Sequence, residues 1–106
     1  AASDVYKRQL VCEDNYSNAH GTPWLYKEMG IGKLIGAPVP GTMTAVWWEN
    51  IGQYTFGIPQ GGTKDNRGNY LENQQLEPDI ECYVTPEDML RGVDTQIQAA
   101  VRELMK

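Results

Sequence analysis

Two short apolar runs, Leu10-Val11-Cys12 and Leu34-Ile35, are separated by one stretch of helix-forming sequence. Each run reads as a buried strand. A helical segment between two buried strands needs a crossover, so the spacing predicts a parallel pair with the helix packed across it. Between the first run and the helix stands the polar turn Glu13-Asp14-Asn15-Tyr16-Ser17-Asn18. In open α/β folds, the reactive groups lie at the carboxyl ends of the strands. Ser17, at a strand-to-helix junction with a helix N-terminus behind it, is therefore the first candidate for chemistry.

The helix can begin in two ways. Asn18 can open it, with Pro23 tolerated near the first turn, or Thr22 can cap it with Pro23 at the first helical position. In both cases Trp24, Leu25, Tyr26 and Met29 supply apolar contacts, and Gly30 is a fitting stop. The second strand covers residues 33–36. Residues 36–41, with Pro38 and Pro40, form a loop, since proline cannot donate to a central ladder. Residues 42–48 are rich in β-branched and aromatic side chains and predict a strand. A turn over residues 49–52 and a return strand over residues 53–59 complete a hairpin. Trp47 and Trp48 are adjacent, so they point to opposite faces of that strand and one of them faces outward.

A glycine-rich polar loop runs from Gly61 to Asn69, and residues 78–84 predict another short strand. Thr85-Pro86-Glu87-Asp88 has the form of a helix start, with an N-cap, a proline at the first helical position and two acids at the positive end of the dipole. That helix stops at Gly92. Asp94 caps a second helix, whose Ile97, Val101 and Leu104 recur at helical spacing and predict a stripe against the sheet.

The chain has 106 residues, enough for one small domain. With 41% apolar and 22% charged residues it can build a core. A net charge of −5 argues against nucleic acid as a partner, which needs clustered Lys and Arg. No apolar run is long enough for a membrane-spanning segment. The chain opens on Ala1 rather than methionine, as a piece of a longer polypeptide would. Residues 1–9 show no period and read as a disordered or foreign end. Cys12 and Cys82 read as two buried free thiols. No Cys/His cluster has metal-ligand spacing, so neither a metal nor another cofactor is expected.

Several stretches, in their order and spacing, resemble the tail-specific (C-terminal-processing) serine protease family, and within it the tricorn-like branch. They are Tyr16-Ser17-Asn18-Ala19 with Pro23, Met29-Gly30-Ile31-Gly32-Lys33-Leu34-Ile35-Gly36-Ala37-Pro38, Tyr70-Leu71-Glu72-Asn73, Pro78-Asp79-Ile80 and Gly92-Val93-Asp94-Thr95-Gln96-Ile97. The resemblance spans most of residues 10–106. It implies an α/β fold of the crotonase/ClpP-like kind, present here as an incomplete domain, the C-terminal part of a serine protease catalytic domain. Ser17 falls on the nucleophile, the Asn18 backbone N–H on an oxyanion-hole donor and Glu72 on the supporting acid. Thr42 stands about where the other branch carries a lysine base, which favours a Ser–His–Glu arrangement over a Ser–Lys dyad.

The same resemblance places the histidine base and the glycine of the second oxyanion donor upstream, outside this chain. It implies peptide or protein substrates and a cell-envelope, periplasmic or secreted setting. A homo-oligomer is one arrangement it leaves open.

Read without the resemblance, Ser17 is a turn former or cap, and Glu72, Glu13 and Asp14 are loop charges. The resemblance puts His20, the only histidine, where the family usually carries an acid. It reads as a surface or loop-contact residue; as a base it would sit one helical turn from Ser17. Two other functions remain: a non-catalytic module of the same fold, holding a peptide or glycan on the tryptophan-rich hairpin, and a non-proteolytic serine hydrolase.

Overall fold

The apolar runs pair as their spacing dictates. A computed structural model describes residues 7–106. In it β1 (Arg8–Val11), β2 (Lys33–Gly36) and β5 (Ile80–Glu81) form a parallel sheet in the order β1-β2-β5. The helix α1 (Asn18–Glu28) crosses from β1 to β2. At the carboxyl end of the sheet the strands close tightly. A Cβ on Gly36, at φ 141, would lie 1.8 Å from the Val11 carbonyl oxygen, so only glycine fits there. Val11, Leu34, Val39 and Leu76 form the buried cluster beneath α1, with Trp24 and Tyr26 packed against it. Val39 and Leu76 exchange both backbone hydrogen bonds at 2.9 Å, which ties the loop after β2 to the segment before β5.

Several sequence expectations shift in register. The first strand begins at Arg8, inside the stretch read as a disordered or foreign end, and stops at Val11, leaving Cys12 beyond it. Residues 1–6 lie outside the described part. The helix takes the earlier of its two starts and keeps Pro23 inside. Proline has no N–H for the Ala19 carbonyl. The Asn15 side-chain amide donates to that carbonyl instead, at 2.8 Å. Cys12 and Cys82 are free thiols, but only partly buried. Residues 78–84 contribute only the two-residue β5.

The hairpin is longer than expected. β3 (Thr44–Ile51) and β4 (Tyr54–Gly62) pair antiparallel, with a bulge between Ala45 and Val46. The turn is Gly52-Gln53, not residues 49–52. Gly52 at φ 60 supplies the left-handed position a two-residue hairpin loop requires. Trp47, Glu49 and Ile51 share one face with Tyr54, Phe56 and Ile58. Val46 and Trp48 share the other with Gly57 and Pro59. The two tryptophans do point to opposite faces, and both are exposed.

The closing helices α2 (Pro86–Leu90) and α3 (Thr95–Leu104) start as their capping residues predict. Thr85 Oγ1 accepts from Asp88 N at 3.1 Å, and Asp94 Oδ1 accepts from Ile97 N at 2.9 Å. The face of α3 turned to the sheet is not the expected one. Ala99 is buried there, Gln96 Nε2 donates to the Cys82 carbonyl at 3.0 Å, and Glu103 pairs with Lys33 at 3.3 Å. Ile97, Val101 and Leu104 stay about half exposed.

Candidate active site

The turn leaving β1 delivers Ser17 in a backbone conformation that side chains rarely adopt, φ 54 and ψ −115. Such strain costs roughly 1–3 kcal/mol in a non-glycine residue and persists only where surrounding contacts impose it. Here three contacts do. The Ser17 amide donates to Thr42 Oγ1 at 3.1 Å. The Ser17 carbonyl accepts from the amides of His20 and Gly21, at 2.8 and 3.0 Å, as the first acceptor of α1. The Asn18 amide, one of the helix's orphan donors, bonds to none of the described residues and remains available to an oxygen.

Glu72 reaches the same place from the loop before β5. Its Oε2 accepts from Met43 N and from Thr44 Oγ1, both at 2.7 Å. The Thr44 hydroxyl, then the Met43 amide, hold the carboxyl below the ordinary glutamate range. Tyr16, Ser17, Thr42, Thr44, Val46, Pro59 and Glu72 together line a cavity of about 150 Å³. The two side chains singled out in the sequence are thus brought into one cavity, from positions far apart in the chain.

What joins them is a strap over residues 41–44. Gly41 packs so closely on the Asn73-Gln74 backbone that a Cβ would lie 2.3 Å from Gln74 N. Thr42 holds Ser17, while Met43 and Thr44 hold Glu72. Sequence reasoning placed Thr42 only as the residue standing in for a lysine, and it missed Met43 and Thr44. No local signal marks a loop threonine whose partner lies across the fold.

His20 differs from expectation. It is fully buried rather than a surface or loop contact, with its ring edge-on to Trp24 at 5.5 Å between centroids. Neither ring nitrogen hydrogen-bonds to a described residue within normal geometry. Burial lowers its pKa below the usual histidine value, and the nearby Gln74 backbone and Glu72 carboxylate offset this in part. Nothing joins its ring to Ser17. Glu13 and Asp14 are exposed turn residues.

The sequence matches no protein-family model and no curated protein. Solved structures do resemble it. The tricorn protease aligns with a TM-score of 0.77 and 25% identity over 92% of this chain and 10% of that one. Mature CPAF in complex with lactacystin aligns at 0.78 and 20% identity over 92% and 20% of the two chains. A Parabacteroides merdae protein assigned as a peptidase aligns at 0.72 and 19% identity, over 92% and 31%. The fold is peptidase-related. It is mixed α/β, with a parallel sheet and an antiparallel hairpin, and the chain spans between a tenth and a third of the structures it matches.

Proposed function

We propose that this chain is the C-terminal part of the catalytic domain of a serine-type peptidase of the tail-specific family, tricorn-like branch, with a crotonase/ClpP-like fold. The observation that carries the reading is the strained Ser17, set at the N-terminus of α1 and facing Glu72 across one cavity. A serine hydroxyl needs a base and oxyanion donors to attack a peptide. A base supplied from outside this chain takes the Oγ proton as Oγ bonds to the scissile carbonyl carbon. The oxygen gains the electron pair and sits on the Asn18 N–H. Collapse breaks the C–N bond, and the base gives its proton to the leaving amine. Water then cleaves the ester on Ser17, releasing a carboxylate and restoring the hydroxyl. Glu72 supports this by orienting the base or fixing the water. His20 has no part in the proton transfer, since its ring is fully buried, does not line the cavity and has no bond to Ser17.

The test uses the full-length protein and a fluorophosphonate probe. Labelling of Ser17, absent in Ser17→Ala together with peptide hydrolysis, is the expected result. Hydrolysis that survives Ser17→Ala refutes the assignment. A second reading, a non-catalytic binding module, draws on the exposure of Trp47 and Trp48, 58% and 66%, on opposite faces of the hairpin. Peptide or glycan binding without Ser17 labelling would favour it.

A further inference from the structure

One side chain spans the turn that carries Ser17. The Asn15 carboxamide bonds to the end of β1 on one side and to the first turn of α1 on the other. Its Oδ1 accepts from Cys12 N at 3.2 Å and from the Cys12 thiol at 3.1 Å. Its Nδ2 donates to the Ala19 carbonyl at 2.8 Å. The Asn15 backbone amide adds a bond to the Cys12 carbonyl at 3.1 Å. Tyr16, Ser17 and Asn18 lie between these anchors, so the strained serine and the Asn18 amide behind it belong to a closed loop.

We propose that Asn15 is a positioning residue for the reaction: by tying β1 to α1 it fixes how the Ser17 hydroxyl and the Asn18 N–H are presented to one acyl group. The inference rests on the peptidase reading and adds a residue that lines no part of the catalytic cavity. Thr42 holds the Ser17 amide from across the fold. Asn15 sets the two ends between which the chain must turn, and a left-handed φ at serine persists only where such restraints impose it.

The partners explain why an asparagine stands here. On the β1 side both are donors, the Cys12 N–H and S–H, and on the helix side the partner is a carbonyl. A carboxamide offers an acceptor and a donor on one short planar group, and the reverse orientation would face its NH2 with two donors. Pro23 leaves the Ala19 carbonyl to it. In an uninterrupted helix that carbonyl accepts from the N–H four residues on, which proline lacks. Ala19 is exposed, so water satisfies its carbonyl when the Asn15 amide is lost. A hydrated carbonyl keeps its hydrogen bonding but no longer ties α1 to β1. Reactivity therefore depends on this bond more than stability does.

The experiment measures kcat, KM, the fluorophosphonate labelling rate of Ser17 and the urea midpoint in the full-length protein. Asn15→Asp keeps an oxygen for Cys12 and removes the donor to Ala19, while Asn15→Ala removes both ends. Each should lower kcat by about 10- to 100-fold, as a misplacement of about 1 Å does, with KM within about three-fold of wild type. Labelling should slow in parallel, and the urea midpoint should move little. Pro23→Ala, which offers a helix N–H to the Ala19 carbonyl in competition, should lower kcat in the wild-type background and add little beside Asn15→Ala. Labelled Ser17 with kcat unmoved by Asn15→Asp, or lowered only as far as the urea midpoint falls, overturns the positioning role and leaves the peptidase reading intact. Pro23→Ala acting equally with and without Asn15 overturns the role of the Ala19 bond. A wild-type Ser17 that neither labels nor supports hydrolysis overturns both readings.

Discussion

Thr42 Oγ1 accepts the Ser17 amide at 3.1 Å, linking a loop threonine to the residue in the most strained backbone conformation among the non-glycine residues of the site. Of the three contacts that hold the strained turn at Ser17, this is the one made from outside the turn and its helix. A left-handed φ at serine returns to the β region unless something outside the turn restrains it, and the Thr42 hydroxyl is the one long-range partner of that amide. Glu72 is bound to the next two residues of the same strap. A displacement of residues 41–44 would therefore move both halves of the site together.

Thr42→Val tests this directly. Valine keeps the shape and removes the acceptor, leaving the partly buried Ser17 amide unsatisfied at a cost of about 1–3 kcal/mol. The urea midpoint of the purified protein should fall accordingly, and fluorophosphonate labelling of Ser17 should slow. Thr42→Ser, which restores the hydroxyl, should recover the labelling rate. Equal labelling by the valine variant would show that the strained turn at Ser17 is held by its other contacts.

The strain itself predicts a gain of stability on losing the nucleophile. Glycine adopts φ 54 without the Cβ penalty, so Ser17→Gly should stabilise the fold by about 1 kcal/mol, less the extra entropy of glycine in the unfolded chain. Ser17→Ala, which keeps Cβ, should give no such gain. Denaturant unfolding of the two variants side by side separates backbone relief from loss of the hydroxyl.

Parts of this architecture are legible in the sequence where the physics is local. The β2 strand is bounded by Lys33 and Gly36, and the caps Thr85 and Asp94 act within three residues of themselves. What local pattern cannot carry is which face of an element the rest of the fold will cover. The Ile97, Val101 and Leu104 stripe has helical spacing, yet α3 approaches β1 and β2 through the small side chain of Ala99 and the polar contacts of Gln96 and Glu103. His20 likewise looks solvent-compatible in sequence and is buried because Trp24 and the loop carrying Glu72 and Gln74 close around it. Ser17 stands out in the sequence by its place at a strand-to-helix junction and Glu72 only through the resemblance to a family; Thr42, Met43 and Thr44 act through contacts that no short window contains.

The buried imidazole gives a pH signature. Burial lowers the folded-state pKa of His20, so between that value and the unfolded value of about 6.5 the unfolded chain binds more protons. Stability is full above about pH 6.5 and declines as the pH falls through the depressed folded value. The one carboxylate close enough to oppose this is Glu72. His20→Leu removes two buried nitrogens that lack described partners, so it should leave stability at pH 7 equal or higher and flatten the profile below about pH 6.5. Urea unfolding across that range measures both effects. An unchanged slope in the leucine variant would assign the titration elsewhere.

Glu72 titrates in the opposite setting, at the edge of the cavity with its charge favoured. The Thr44 hydroxyl and Met43 amide depress its pKa, so its contribution to stability is full above the unfolded value of about 4.3 and is lost as the pH falls through the folded one. Glu72→Gln still offers Oε1 to both donors and removes only the charge. It should preserve the strap, shown by an unaltered urea midpoint at pH 7, and weaken the dependence of stability on acid below about pH 5. Hydrolysis, which needs the carboxylate to orient a base or a water, should drop by roughly 10²-fold in kcat with little change in KM. Glu72→Ala, which frees Met43 N and Thr44 Oγ1 as well, should lose labelling and hydrolysis together. A glutamine variant that hydrolyses at the wild-type rate would confine Glu72 to holding the strap.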